Sequence, residues 1–283
     1  MEIDYSGLPP GVYRDEPEDI YYKRELGVMS NSVLRMVAKR TPAYYKAWID
    51  GDLEEKSSDV FDLGKAFHTR VLEPHKFNET YVDLNQFGDM RSSKARARRD
   101  EFIANNPNVT PIKKKDIDAV NRMYEAIMRK PKAAAIMSRG WREVVLRWVD
   151  RHTGLPCKAR VDYYDPEIGF SLDLKSVIDA SHEHFSRSVV NYGYDTQACF
   201  YDEGCKELGL ENRGFIFLLA EKERPHLSAL RILHESAEEA GFNRLTARKD
   251  MFLSMIKSGT FSGYSDDIEI QHIPGWAFSN LEV

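Results

Sequence analysis

WREVVLRWVDRHTGLPCKARVDYYDPEIGFSLDLKSVID, residues 141–179, decides the fold. Three runs rich in Val, Leu, Trp and Tyr are parted by short stretches holding Gly154 and then Pro166 and Gly169. That is the pattern of antiparallel strands joined by tight turns, so the segment reads as a β-meander. The third run carries Asp173 and Lys175 through an otherwise apolar sequence. Side chains alternate along a strand, so residues two apart project from one face. Alone, such a pair also fits an exposed ion pair at a strand edge, worth ~0–1 kcal/mol. Its neighbours shift the balance. Asp162 sits among Val161, Tyr163 and Tyr164 in the second run, and Glu143 directly precedes Val144 in the first. Neighbouring strands lie about 4.8 Å apart, so Glu143, Asp162 and Asp173 can converge.

Carboxylates brought that close repel, and their pKa values rise unless a cation neutralises them. A hard divalent ion such as Mg²⁺ answers this need, held by one or two carboxylates with water and substrate phosphate. Lys175 then fits as the group that orients or helps deprotonate a water for attack on a phosphodiester.

The flanks agree. After the meander, Tyr194, Ala198, Tyr201 and Cys205 form the stripe of a helix packing on a sheet, with Gln197 and Tyr201 four apart on one face. Before it, DVFDLGKAFHTRVLEP (residues 59–74) predicts a helix ended by Pro74 and carrying His68. One helical histidine by itself is ordinarily a core or surface residue.

Taken in order, Gly64-x-x-x-His68, Glu143, Asp162, Asp173-Leu174-Lys175 and Gln197-x-x-x-Tyr201 resemble the PD-(D/E)XK nuclease core in its RecB-type form. LGKAFHTRVLEP, KARVDYYD, LDLKSVIDAS and YGYDTQACFY resemble the RecE-type exonucleases (exonuclease VIII) of prophage recombination systems. The likeness runs from MSNSVLRMVAKRTPAYYKAW to the IPGWA stretch near the C-terminus. It implies that His68, Asp162, Asp173 and the Leu174 carbonyl hold the metal, with Glu143 beside them directly or through water. It implies that Lys175 positions the attacking water while Gln197 and Tyr201 steady it and the DNA backbone. It implies Mg²⁺ as cofactor, with Mn²⁺ able to substitute, and 5′ to 3′ digestion of linear double-stranded DNA. The 3′ single strand would pass to a single-strand annealing protein, and the enzyme would be a ring-shaped homotetramer. Ser30, Ser32 and Arg35 in SNSVLRMVAKR are the expected phosphate contacts for a 5′ end.

Length and composition are compatible. A chain of 283 residues with 42% hydrophobic content can bury one large core, so residues 1–283 are expected to form one domain. The acidic stretch DEPEDIYY within residues 1–28 reads as an N-terminal arm or surface segment. Cys157, Cys199 and Cys205 lack zinc-type spacing; buried free thiols in a reducing cytoplasm account for them. No apolar run approaches the ~18 residues of a membrane span. A net charge of −5 does not exclude DNA, because local basic surface decides contact with phosphates. RSSKARARRD (91–100) and IKKKD (112–116) offer such surface, though charge runs are often only solvated.

RGFIFLLAEKERP and HLSALRIL read as two further strands, and SAEEAGFNRLTARKDMFLSMIKSG as a long helix ending at Gly259. Helix starts are expected at Ser30 and at Pro42. The fold class is α/β: a PD-(D/E)XK core with a mixed central sheet flanked by helices. Two alternatives stand beside the exonuclease: a single-strand or structure-specific nuclease, and a non-catalytic DNA-binding protein on the same scaffold.

Overall fold

The computed structural model describes residues 8–53 and 62–272. IPGWA, and residues 59–61 of the helix expected before Pro74, lie outside them. In chain order the elements are β1 Gly11–Tyr13, α1 Glu18–Tyr21, α2 Asn31–Lys39, α3 Pro42–Asp50, α4 Leu63–Leu72 and α5 Pro74–Thr80. There follow β2 Tyr81–Asp83, α6 Ser93–Asn105, β3 Thr110–Ile112, α7 Lys114–Met128 and α8 Pro131–Met137. The meander is β4 Trp141–Val149, β5 Pro156–Asp165 and β6 Phe170–Val177. The chain then runs through α9 His182–Tyr192, α10 Tyr194–Glu207, β7 Gly214–Glu221, β8 Ser228–Arg231 and α11 Glu235–Ser258.

The central sheet has the order β1-β4-β5-β6-β7-β8, antiparallel except for the parallel pair β6 and β7. The meander is therefore present as expected, and the crossover through α9 and α10 supplies the one parallel step. Each face of the sheet carries its own apolar layer. Trp148, Phe200, Phe217 and Phe252 centre one beneath α2, α10 and α11. Phe67, Met123, Ile127 and Leu174 centre the other beneath α4 and α7.

Local chemistry explains the helix boundaries. Ser30 caps α2 by accepting from the Val33 N–H, Thr41 caps α3 ahead of Pro42, and Gly259 closes α11 in the left-handed region. Pro74 opens α5 immediately after α4 has ended. The helix expected on the stripe from Tyr194 to Cys205 is α10; α9 precedes it, and Gly193 adopts φ 69° between the two. That conformation ends a right-handed helix.

From Gly11 onward the N-terminal segment is tied to the sheet. β1 adds an edge strand against β4, and Glu16 is buried where both its oxygens take the Arg147 guanidinium, at 2.6 and 3.0 Å. Lys158 donates to Glu25 at 2.6 Å. Of the cysteines, Cys157 and Cys205 are buried and Cys199 only partly so. Among the described residues no helix is long and apolar enough to cross a membrane.

Candidate active site

The meander does not run as a regular ladder. On β4, Val144, Leu146 and Trp148 share one core layer, yet Trp141, on the opposite parity, packs against that same layer. On β5, Cys157, Ala159 and Val161 belong to it, and beyond them Tyr164 does. Alternation therefore slips by one residue on both strands at the same place. Arg142 pairs with Tyr163 and Val144 with Val161, which leaves Glu143 and Asp162 facing each other between them. Glu143 has φ 53°, a conformation costing a non-glycine residue about 1–3 kcal/mol. The slip frees both carboxylates from the regular face pattern.

On the other side of Asp162 the sheet opens. The β5–β6 pairing runs only from Asp165↔Phe170 to Tyr163↔Leu172. Beyond that point Asp162 Oδ2 accepts from the Leu174 N–H at 2.7 Å, a side chain replacing a ladder bond. Helix α4 closes the gap. Gly64 makes this approach possible, since a Cβ there would stand 2.9 Å from Ser176 Oγ on β6. His68, one turn later, then reaches the site with Nδ1 3.8 Å from Asp162 Oδ2. Ligand atoms of His68, Glu143 and Asp162 lie within 4.8 Å of one another.

Asp173 and Lys175 do share a face and pair at 2.5 Å. Asp173 stands outside the three-residue cluster and is held from above by α10. Gln197 donates to Asp173 Oδ1 at 2.6 Å, accepts from Lys175 Nζ at 3.2 Å and donates to the Tyr201 hydroxyl at 3.2 Å. The four-residue spacing of Gln197 and Tyr201 makes this bracket possible.

The electrostatics match a site built for a cation. Burial and then the Asp173 charge push Asp162 up to about 8. Burial and then Asp162 push Glu143 up to about 7, against the pull of Arg160. Burial lowers the His68 imidazole, opposed by Asp173 and by a hydrogen bond to the Leu174 backbone, so the ring is neutral and ready to ligate. Burial also works to lower Lys175, but the Asp173 and Asp162 charges outweigh it and the ammonium is raised. Two carboxylates and an imidazole are a donor set suited to Mg²⁺ or Mn²⁺.

These groups line a cleft of about 590 Å³ together with Ser30 and Ser32. Arg35 does not line it; its guanidinium lies 5.9 Å from the Tyr192 ring centroid. The basic runs of α6 and the start of α7 are exposed and also stand apart from the cleft wall. Two side chains at the site escaped the sequence reading. Arg160 pairs with Glu143 at 2.5 Å; its signal was the alternation Arg160, Asp162 on one strand. Tyr194 places its ring centroid 4.6 Å from Lys175 Nζ, one helical turn before Gln197.

A family model described as a PDDEXK-like domain of unknown function, DUF3799, matches residues 30–273. The chain belongs to this PDDEXK-like family. No curated protein matches it significantly. The crystal structure of a "Putative exonuclease" from Eubacterium rectale superposes with a TM-score of 0.59 over 95% of this chain and 99% of that one, at 16% identity. At that identity the likeness speaks for the PDDEXK-like fold. Membership places the chain in the PD-(D/E)XK superfamily at a coarser level than the RecE-type resemblance.

Proposed function

We propose that the chain is a Mg²⁺-dependent exonuclease acting on linear double-stranded DNA. The observation that carries this reading is the meeting of His68, Glu143 and Asp162 within 4.8 Å, beside the Asp173–Lys175 pair on an open cleft. A divalent cation bound in this donor set would supply charge neutralisation at the scissile phosphate and would acidify a water.

The residues divide the remaining work. His68, Glu143 and Asp162, whose ligand atoms meet, would hold the cation, with Asp173 beside them on the Lys175 side. Lys175, its pKa raised, stays protonated at neutral pH. Its part is to orient water and phosphate with N–H donors rather than to remove a proton. Gln197 and Tyr201 hold Lys175 and Asp173 in register. Ser30 and Ser32, on the cleft wall, are the phosphate contacts of this reading. The RecE-type resemblance supports 5′ to 3′ polarity, a 3′ single strand handed to an annealing protein, a ring-shaped tetramer and a cytoplasmic setting. The exposed cations of α6 and α7 suit contact with duplex phosphates.

The test is a linear duplex labelled separately at each 5′ and 3′ end, incubated with Mg²⁺ or with chelator. Loss of the 5′ label first, in Mg²⁺ alone, is expected. A duplex untouched in both conditions, or degraded equally in chelator, overturns the reading.

A further inference from the structure

Beyond Lys175 the cleft gives way to a patch with a different chemistry. The Tyr194 ring that faces Lys175 stacks on Tyr192 with centroids 5.6 Å apart and planes at 27°. Tyr192 is 50% exposed. Arg35, arriving from α2, stands at the outer limit of cation–π distance from Tyr192. Among the described residues neither Arg35 nor Arg248 has a carboxylate partner. Arg248 comes from α11 over Gly193, where an added Cβ would meet its guanidinium at 3.4 Å. It donates to Thr196 Oγ at 2.7 Å.

The cations are crowded. Burial depresses Arg248, and the neighbouring charges of Arg244 and Arg35 depress it further. Only Arg244 is balanced, by the buried Asp195. Three guanidinium groups against one carboxylate, around an exposed aromatic step, leave an excess of positive charge among the described residues. In a chain with a net charge of −5, that excess is local and specific.

We propose that Tyr192, Arg35 and Arg248 form a ledge for one unpaired nucleotide of single-stranded DNA, the nucleobase stacking on Tyr192 and its phosphate held by the two arginines. Aromatic faces beside basic groups bind single strands with little regard for sequence. The ledge continues from Lys175 through Tyr194, so it receives the strand on one side of the scissile phosphate. This inference rests on the nuclease reading above. It also gives Arg35 a place apart from Ser30 and Ser32, whose side chains line the cleft.

The experiment measures binding of a fluorescent oligothymidylate, and of an abasic strand of the same length, to the full chain in chelator. Wild-type protein is expected to prefer the strand with bases. Tyr192→Ala should weaken oligothymidylate binding by about tenfold and abolish that preference, while Tyr192→Phe retains it. Arg35→Gln and Arg248→Gln should weaken both strands alike and flatten the salt dependence. Wild-type binding of oligothymidylate that Tyr192→Ala leaves unchanged overturns the ledge and spares the nuclease reading. Failure of the wild-type protein to bind either strand, with no cleavage of labelled duplex, overturns both.

Discussion

Asp162 accepts a hydrogen bond from the Leu174 N–H at 2.7 Å across two strands whose ladder has already ended. One carboxylate thus serves the sheet and the proposed metal at once, and the two duties are separable. Asp162→Asn keeps an acceptor for the N–H; Asp162→Ala leaves that donor buried and unmet, a loss of about 1–3 kcal/mol. Both variants should lose cleavage, but only the alanine should lose stability in urea. Equal stability of the two removes the structural duty, and retained cleavage in either removes the metal duty.

The raised carboxylates set a pH signature. Glu143 at about 7 and Asp162 at about 8 hold protons in the folded chain that the unfolded chain has released above ordinary carboxylate values. Their contribution to stability is full at acid pH, falls as pH rises, and is lost once pH passes about 8. A bound divalent cation reverses the penalty. Melting temperature in Mg²⁺ minus that in chelator should therefore be larger at pH 8.5 than at pH 6. A difference independent of pH would show that these two groups do not hold the cation.

His68 is lowered by burial, so its protonation lies below the range where the two acids titrate. The acid limb of metal binding should accordingly follow the carboxylates, and Glu143→Gln should displace it. His68→Ala should instead reduce Mg²⁺ affinity at every pH, with partial rescue by excess Mn²⁺. Calorimetric titration distinguishes a shifted limb from a uniform loss.

Gly64 tests the approach of α4 to β6. Gly64→Ala would place a Cβ against Ser176 Oγ and should destabilise by about 1–3 kcal/mol, moving His68 as the helix recoils. Adding Ser176→Ala should recover most of both losses. A stabilised Gly64→Ala protein, as helix propensity alone would give, argues that the contact is slack.

The strands of the meander were legible because their turns are punctuated and their side chains alternate. Asp173 with Lys175, and Gln197 with Tyr201, were legible because each pair sits at the repeat of its own element. The slip at Glu143 was not, since nothing about a glutamate announces a left-handed backbone. Nor was the docking of the N-terminal segment, which depends on Arg147 meeting Glu16 across 131 positions of chain. Gly193 carried a readable signal, standing directly before the apolar stripe that begins at Tyr194. Arg35 shows the limit of spacing arguments: three residues from Ser32 on one helix, it is turned far enough to join Tyr192 instead of the cleft.

The family match begins at residue 30, but the walls of the cleft do not. Glu18, Tyr21, Tyr22 and Glu25 line it from before that boundary, and Glu16 and Glu25 neutralise Arg147 and Lys158 from the same stretch. Trimming this chain to residues 30–273 would strip one bank from the cleft. It would also strand two cations inside the edge of the sheet, each broken pair costing about 3–5 kcal/mol. An inactive or insoluble fragment produced that way would report where the cut was made, and say nothing about the chemistry at Asp173.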